Sequence, residues 1–369
     1  MPCGVASVSE APAGPPELGE LIDMQIRQHG PMSIASYMAL ALTHPRKGYY
    51  KQGTAIGAAG DFITAPEISQ MFGELIGFFL VNLWQQMDQP AAFTLLELGP
   101  GRGTLMADIM RVGARAPGFA EAARIELFET DPELLAQQRT RLEAHQPRWI
   151  QSFELAGDTP LLIVANEFFD ALPIRQFARG DDGWHERMVG LRDGRRVFGL
   201  SPTPIPADAL PPTVRDAAPG AVYEAGFAAG EVMKRLAPAV ARRGGAILAI
   251  DYGYGQTQGG ETLQAVRRHA YADPLEAPGE TDLSAHVDFG ALAAVAHAAG
   301  LATAPLTGQG DFLKHLGILA RTAALSKANP DLAPALNAAL DRLTSPAQMG
   351  TLFKALCAHS PGLAPQGFA

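Results

Sequence analysis

Leu95-Leu96-Glu97-Leu98-Gly99-Pro100-Gly101-Arg102-Gly103-Thr104 is the stretch on which the reading of this chain turns. The apolar run Phe93 to Leu98 suits a central parallel strand covered on both faces. Gly99, Gly101 and Gly103 then permit backbone angles and a close ligand approach that side chains would block. The helix expected over residues 104–112 aims its amide dipoles back at whatever lies over the turn.

The glycine spacing discriminates between cofactors. A dinucleotide fingerprint needs Gly-x-Gly-x-x-Gly, so that a pyrophosphate can rest on the helix start. Here the glycines take alternate positions and Thr104 stands where the third dinucleotide glycine would fall. Glu97, close to the turn, would also repel a diphosphate. A ligand carrying an ammonium and a sulfonium suits that carboxylate better, and S-adenosylmethionine is such a ligand. The plain alternative is an ordinary tight strand-to-helix turn.

Outward from the turn, Ile125-Glu126-Leu127-Phe128 reads as a second strand, followed by Glu129-Thr130-Asp131-Pro132. An acid ending the second strand, about 20–30 residues past the glycine turn, can accept both ribose hydroxyls. Glu129 directly ends the apolar run and takes that role in preference to Asp131. Asp131, with Pro132 and Glu133 after it, has the pattern of an N-cap for a helix over 132–145.

The rest of the composition sets limits. The 369 residues can bury one large core, or one core with a smaller appended unit. A net charge of -9 argues against a general nucleic-acid binder, whose phosphate contacts require a positive surface. Cys3 and Cys357 are the only cysteines and form neither a disulfide framework nor a metal spacing. His44, His286 and His315 lack mutual ligand spacing, so no metal centre is expected. No basic residue precedes Arg27, the pattern of neither a secretory leader nor an arginine-rich transit peptide. The longest apolar stretch, near 75–84, is interrupted by Asn82 and too short to span a bilayer. A cytoplasmic protein without a membrane span is expected.

Periodicity suggests the organisation. Residues 1–16 are expected to be a disordered tail and 17–92 an N-terminal helical cap, with Ser33 capping its second helix and a long apolar helix from Ile68 to Trp84. A glycine-rich loop, Gly48 to Gly60, leads to Asp61, Thr64 and Glu67, where Thr64 and Glu67 have the spacing of a capping box for that long helix. Residues 93–173 and 241–369 read as a Rossmann-like α/β core, with strands at 93–98, 124–128, 148–151, 161–165, 246–250 and 301–304, a helix at 287–299 and a helical insertion at 311–342. Between them, 174–240 reads as an inserted β/helical subdomain. It holds three meander strands (174–178, 184–191 and 195–200, with Asp193-Gly194 as a hairpin turn), a proline-rich loop over 201–213 and a helix over 222–241. Leu352 to Ala358 is helix or strand, and periodicity does not settle which.

Chemistry beyond the cofactor concentrates in Ala165-Asn166-Glu167-Phe168-Phe169-Asp170-Ala171-Leu172-Pro173, which follows the fourth strand. In an open parallel sheet, ligands lie outside the carboxyl ends of the strands near the point where strand order reverses. Asn166 could orient an attacking nitrogen through its amide oxygen. Glu167 and Asp170 are three apart, so one helical turn would place both carboxylates on one side. Such a pair could align a guanidinium and withdraw its proton, help that an arginine with a pKa above about 12 requires. An Asn-Glu helix cap with a surface aspartate is the bland alternative. Asp251-Tyr252-Gly253-Tyr254, ending the fifth strand, is either a substrate contact or a simple turn.

These strings, in order, resemble a known family. Gly60-Asp61-Phe62-Ile63-Thr64-Ala65-Pro66-Glu67, the Glu97–Leu105 turn, Asn166 to Pro173, Asp251-Tyr252-Gly253, and Thr281-Asp282-Leu283-Ser284-Ala285-His286-Val287-Asp288-Phe289 are similar to the MidA family of S-adenosylmethionine-dependent methyltransferases. The resemblance spans roughly residues 20–358. It implies a class I methyltransferase fold: a seven-stranded sheet whose last strand, here Leu352 to Ala358, is antiparallel. It also implies a protein acceptor, since mitochondrial members act in assembly of respiratory complex I and dimethylate an arginine of one of its subunits. Glu97, Gly99, Gly101, Gly103 and Glu129 remain the expected cofactor residues, and Asn166, Glu167 and Asp170, on the reading of the residues themselves, the expected catalytic ones. The competing expectations are a cofactor-binding assembly factor without activity and an NAD(P)-dependent oxidoreductase.

Overall fold

The computed structural model describes residues 16–51, 64–155 and 157–368. Cys3, Asp61, nearly all of the expected tail and most of the glycine-rich loop lie outside the described residues. Seven strands build the central sheet: β1 (Phe93–Leu98), β2 (Ala123–Phe128), β3 (Arg148–Ile150), β4 (Leu161–Asn166), β5 (Gly245–Tyr254), β6 (Ala302–Thr303) and β7 (Phe353–His359). Their spatial order is β3-β2-β1-β4-β5-β7-β6, extended by two-residue strands beside β5 and β7. β1 to β5 run parallel. β7 runs antiparallel to β5, from Ala246↔His359 to Tyr252↔Phe353. The ambiguous C-terminal segment is therefore the closing strand, as the resemblance implied.

Side-chain alternation explains why these segments are strands. Ile125, Leu95, Leu162 and Ala246 form one register row and face a core shared with helices Gln70–Gln86 and Thr104–Gly113. The next row, Leu96, Ile163, Ile247 and Ala358, faces the opposite core, beneath helices Phe227–Arg243 and Phe289–Ala298. Both faces are covered, so the central strands are apolar except for Thr94 and for the polar groups Glu97, Asn166 and Asp251 toward their carboxyl ends. Strand order reverses between β1 and β4, which opens the crevice above their carboxyl ends.

Two helices on the first face approach unusually closely. A Cβ on Gly73 would lie 2.5 Å from the Asp108 Cβ, so this crossing admits only glycine without displacement. The first helix of that pair begins later than the sequence suggests. A short helix, Ala65–Ile68, comes first, and Ser69 caps Gln70–Gln86 by accepting from the Met71 N–H at 3.2 Å. Thr64 makes no side-chain cap bond, and Glu67 is drawn instead to the Thr104 hydroxyl.

The segment between β4 and β5 forms a second sheet, from Arg175–Arg179, Trp184–Arg192, Arg195–Ile205 and Val222–Ala225, joined by Met32–Ser33 from the N-terminal region. Asp193 and Gly194 both have positive φ, 50° and 75°, as their hairpin requires. Two expectations fail here. The third strand continues to Ile205 through Pro202 and Pro204, which an edge strand tolerates because its outer N–H positions need no partner. Residues 222–225 are a strand and not the start of the helix, because pairing with Arg175–Ala178 outweighs the helical pattern. Similarly, Val287–Asp288 pairs with β5 before helix Phe289–Ala298 begins.

Helices Leu18–His29 and Ile34–Thr43 pack against this second sheet. Ile22, Ile26, Met38 and Leu42 share a core with Ile174, Val189 and Leu283. Arg196 Nε donates to Asp23 Oδ1 at 2.7 Å across the same contact. Ser33 caps the second helix through the Ser36 N–H, as its position suggested. No helix among the described residues is long and apolar enough to cross a membrane.

Candidate active site

Gly99, Gly101 and Gly103 adopt φ values of 62°, 51° and 76°, so the turn after β1 is built from left-handed positions. Above it lie two adjoining cavities that share Gly99, Gly101 and Glu167. The smaller, about 50 Å³, is lined by Glu97, Asn166, Thr104 and Glu67. The larger, about 280 Å³, is lined by Phe128, Glu129, Phe153 and Phe168, with Tyr50 and Lys51 from the cap region over it.

At the small end, Glu97 is the penultimate residue of β1, with 3% of its surface exposed. One carboxylate oxygen, Oε2, is buried without a hydrogen-bond partner among the described residues, and so is Asn166 Oδ1. Burial pushes the Glu97 carboxyl up to about 8, the Met106 N–H opposing and the Asp108 charge adding to the rise. Two orphaned acceptors facing one small cavity are costly unless a donor arrives. A cationic ammonium meets both needs: it donates to the oxygens and restores the ionised form of Glu97.

At the large end, Glu129 directly follows β2. Its Oε1 accepts from the N–H groups of Thr130 and Asp131 at 2.7 and 2.8 Å, and its Oε2 from Gln138 Nε2 at 3.2 Å. Gln138 also donates to Gly101 O and accepts from Trp149 Nε1, tying the acid to the glycine turn. Burial raises the Glu129 carboxyl, against those three donors. Asp131 is the N-cap: Oδ1 accepts from Glu133 and Leu134 N–H, both at 2.9 Å. Its other oxygen faces Lys51 Nζ at 3.4 Å, and that lysine also donates to Thr130 O. The cap region is thereby fastened across the loop that carries Glu129.

Phe128 and Phe153 stack with centroids 4.4 Å apart, and Phe168 stands edge-on to Phe128 at 6.2 Å. This aromatic wall suits a flat heterocycle. Sequence reasoning missed Phe153, Phe168, Gln138, Tyr50 and Lys51. A phenylalanine directly ending β2, with two more following β3 and β4, was the available signal.

Asn166, Glu167 and Asp170 come together after β4, but not on a helical turn. Glu167 has φ 50°, the chain bends, and its N–H returns to Ile250 O at 2.9 Å. The helical spacing fails because Asp251 gathers the loop: its Oδ2 accepts from the N–H groups of Phe168, Phe169 and Asp170 at 3.2, 3.0 and 3.2 Å. Its Oδ1 accepts from Tyr252 N–H at 3.0 Å, and the residue is wholly buried. Asp251 is thus an anchor for the acidic loop, a role neither sequence alternative contained.

Glu167 Oε1 accepts from Ala65 N–H at 2.8 Å and from Asn166 Nδ2 at 3.1 Å. Burial lifts its carboxyl to about 7, the Ala65 N–H opposing, and the Asp170 charge adds to the rise. Asp170 is lifted to about 6, again by burial, with the Tyr252 hydroxyl holding it down. That hydroxyl and Asp170 Oδ1 nonetheless form no well-aligned hydrogen bond. Asp251 is also raised, by burial and then by the charges of Asp170 and Glu167. No lysine or arginine pairs with these three carboxylates among the described residues. Nor do the described residues hold a group of three ligands suited to a metal ion. Arg342 is the smallest of the influences on Glu167.

Comparison with known proteins agrees with this geometry. Residues 75–307 match a family model described as S-adenosyl-L-methionine-dependent methyltransferase. The chain is 36% identical over 352 residues to protein arginine methyltransferase NDUFAF7, mitochondrial, of Danio rerio, covering 88% of this chain and 82% of that protein. The Homo sapiens protein of that name is 34% identical over 358 residues, covering 89% and 80%. Among solved structures, a protein from Burkholderia thailandensis bound to S-adenosyl-homocysteine superposes with a TM-score of 0.84 at 29% identity, covering 95% of this chain and 93% of that one.

Proposed function

The chain belongs to this family of S-adenosyl-L-methionine-dependent methyltransferases, and from that premise we propose that its methyl acceptor is the guanidinium of an arginine in another protein. The observation that carries the reading is a pair of acids, Glu167 lining the cofactor cavity and Asp170 three residues on, with no lysine or arginine paired to either among the described residues. A planar cation with five N–H donors is the complement of that pair. Two relatives bear the name protein arginine methyltransferase, which supports the same acceptor.

S-adenosyl-L-methionine supplies a methyl group made electrophilic by its sulfonium. The chain's own residues do the rest. Glu97 and Asn166 hold the amino-acid end, Glu129 accepts from the ribose hydroxyls, and the Phe128–Phe153 pair flanks the base. Asp170 and Glu167 hold the guanidinium, so that one nitrogen faces the larger cavity. Glu167, near half-ionised at neutral pH, takes the proton that this nitrogen gives up as its bond to carbon forms. Asp251 keeps both acids in place through the backbone. Positioning supplies most of the acceleration.

The test is incubation with label in the transferable methyl and a host lysate, followed by hydrolysis and identification of the labelled amino acid. Methylarginine is expected. Label on another residue would replace the acceptor, and cofactor binding without transfer would leave a binding-only assembly protein. By the resemblance, a respiratory complex I subunit is the acceptor to examine first. Action in the cytoplasm is part of the same proposal, supported by a free, buried thiol at Cys357, which suits a reducing compartment. Recovery of the protein in mitochondria, as its relatives' names indicate for them, would overturn that part.

A further inference from the structure

A second cavity, about 200 Å³, lies on the far side of the acidic loop and has no part in the reaction described above. Phe169, Leu172, Ile174, Leu292 and Val295 form apolar walls, and Tyr223, Tyr254, His286 and Asp288 supply its polar groups. Leu172 also lines the cofactor cavity, and His286 packs edge-on against Tyr252 with ring centroids 5.4 Å apart. The second cavity therefore adjoins the acceptor carboxylates.

Most charge around it is already answered. Glu224 accepts from Gln176 Nε2, the Thr262 and Leu263 N–H groups and the Thr262 hydroxyl. Lys234 at the wall is paired with Glu231 at 2.7 Å. Burial keeps His286 below the ordinary imidazole range, with Glu224 opposing, so the ring is neutral at neutral pH. Burial, then the Asp288 charge, raises the Tyr223 hydroxyl to about 12 and pushes Tyr254 upward too, so both stay protonated. Asp288 caps Ala291 through Oδ1 at 2.9 Å and has no ion-pair partner among the described residues. Aromatic faces, hydroxyl oxygens and one unanswered carboxylate, set in an apolar-walled cavity, complement a cation on a methylene stem.

We propose that this cavity is a second acceptor subsite, which takes a basic side chain of the substrate protein near the arginine that is methylated. The inference rests on the reading of a protein acceptor. It is tested with the full enzyme loaded with S-adenosyl-homocysteine and titrated with argininamide, lysinamide or norleucinamide, with crystals soaked in each to locate them.

Wild type should take two equivalents of argininamide, one beside Glu167 and one between Leu172 and Leu292. Asp288→Asn preserves a good helix cap, and should weaken the second equivalent at least tenfold while leaving the first unchanged. Glu167→Gln should do the reverse. Lysinamide bound only in the second cavity would identify that subsite as accepting either basic side chain. Norleucinamide filling it as tightly as argininamide, or binding there unaltered by Asp288→Asn, would overturn the proposal. A second cavity that stays empty would do the same. Occupancy of the second cavity alone would remove the arginine acceptor reading while leaving a cation site, so the two failures are distinguishable.

Discussion

Glu129, buried, and Glu167, half-buried, both line one cavity, yet they are held in opposite ways. Glu129 finds its donors in Thr130, Asp131 and Gln138, all within nine residues. Glu167 accepts from its neighbour Asn166 but also from Ala65, 102 residues earlier, and its loop is held by Asp251, 81 to 83 residues later. The cofactor end is a property of one strand–turn–helix unit and its neighbour. The acceptor end exists only once three distant segments have closed on each other. Binding should therefore survive changes that abolish transfer, and that separation is open to experiment.

The largest effect should come from Glu167→Gln. Glutamine keeps an acceptor for the Ala65 N–H but cannot take a proton or match a cation. Transfer should fall by roughly a thousandfold, the range expected for removal of a positioned general base, while S-adenosyl-homocysteine affinity changes less than about threefold. In wild type, transfer should decline as pH falls through about 7 and then about 6, as Glu167 and Asp170 become protonated. A parallel loss of cofactor affinity in the variant, measured by calorimetry, would erase the contrast between the two ends.

The cofactor end carries a pH signature of its own. Glu97, lifted to about 8, is mostly protonated at neutral pH and must ionise to pair with an ammonium. Affinity for S-adenosyl-homocysteine should rise up to about tenfold per pH unit below that value, with proton uptake by the buffer. Glu97→Gln should flatten the dependence. Calorimetry in buffers of different ionisation enthalpy reads the proton directly.

These opposite constructions also explain what could be read from the sequence. Glu97, the three glycines, Glu129 and the Asp131 cap were legible because each depends on residues a few positions away. Phe93–Leu98 was legible because Phe93, Leu95, Leu96 and Leu98 supply apolar side chains to both buried faces. The turn at Glu167 was not: its loop is held by Asp251, whose sequence context suggests a substrate contact or a simple turn. Val222–Ala225 continues a helical pattern and becomes a strand only because Arg175–Ala178 lies beside it. Pro202 and Pro204 announce a loop, and only an edge position makes them tolerable in a strand. What sequence missed at these three places was a partner distant along the chain.

A stability measurement probes the acceptor end without any substrate. The Glu167 carboxyl titrates at about 7 when folded against an ordinary value of 4.5, so between those values the folded state holds a proton that the unfolded chain has released. Stability contributed by that proton is fully present below 4.5, falls as pH rises, and is gone above about 7. Glu167→Gln removes this loss. The variant should match wild type near pH 4 and exceed it by about 1–3 kcal/mol at pH 8, seen as a higher urea midpoint. Equal gains at both pH values would mean that charge at Glu167 is not what strains this end.

The smallest effect tests the segment that reaches Glu167 from the N-terminal side. Ala65 sits in a short helix that ends where Ser69 starts the next one, so the Ser69 cap fixes where the Ala65 N–H points. Ser69→Ala should cost about 1 kcal/mol, the usual value of a lost N-cap, and lower transfer severalfold by loosening the hold on Glu167. Thr64→Ala, which removes no cap bond, should stay within about 0.5 kcal/mol of wild type. Thr64, Pro66 and Glu67 line the small cavity, but Glu97 and Glu129 accept no hydrogen bond from this segment, so cofactor affinity should change less than transfer does. Denaturation of both variants decides between Ser69 and the Thr64 cap that the sequence spacing suggested, and a drop in cofactor binding as large as the drop in transfer with Ser69→Ala would show the two ends to be coupled after all.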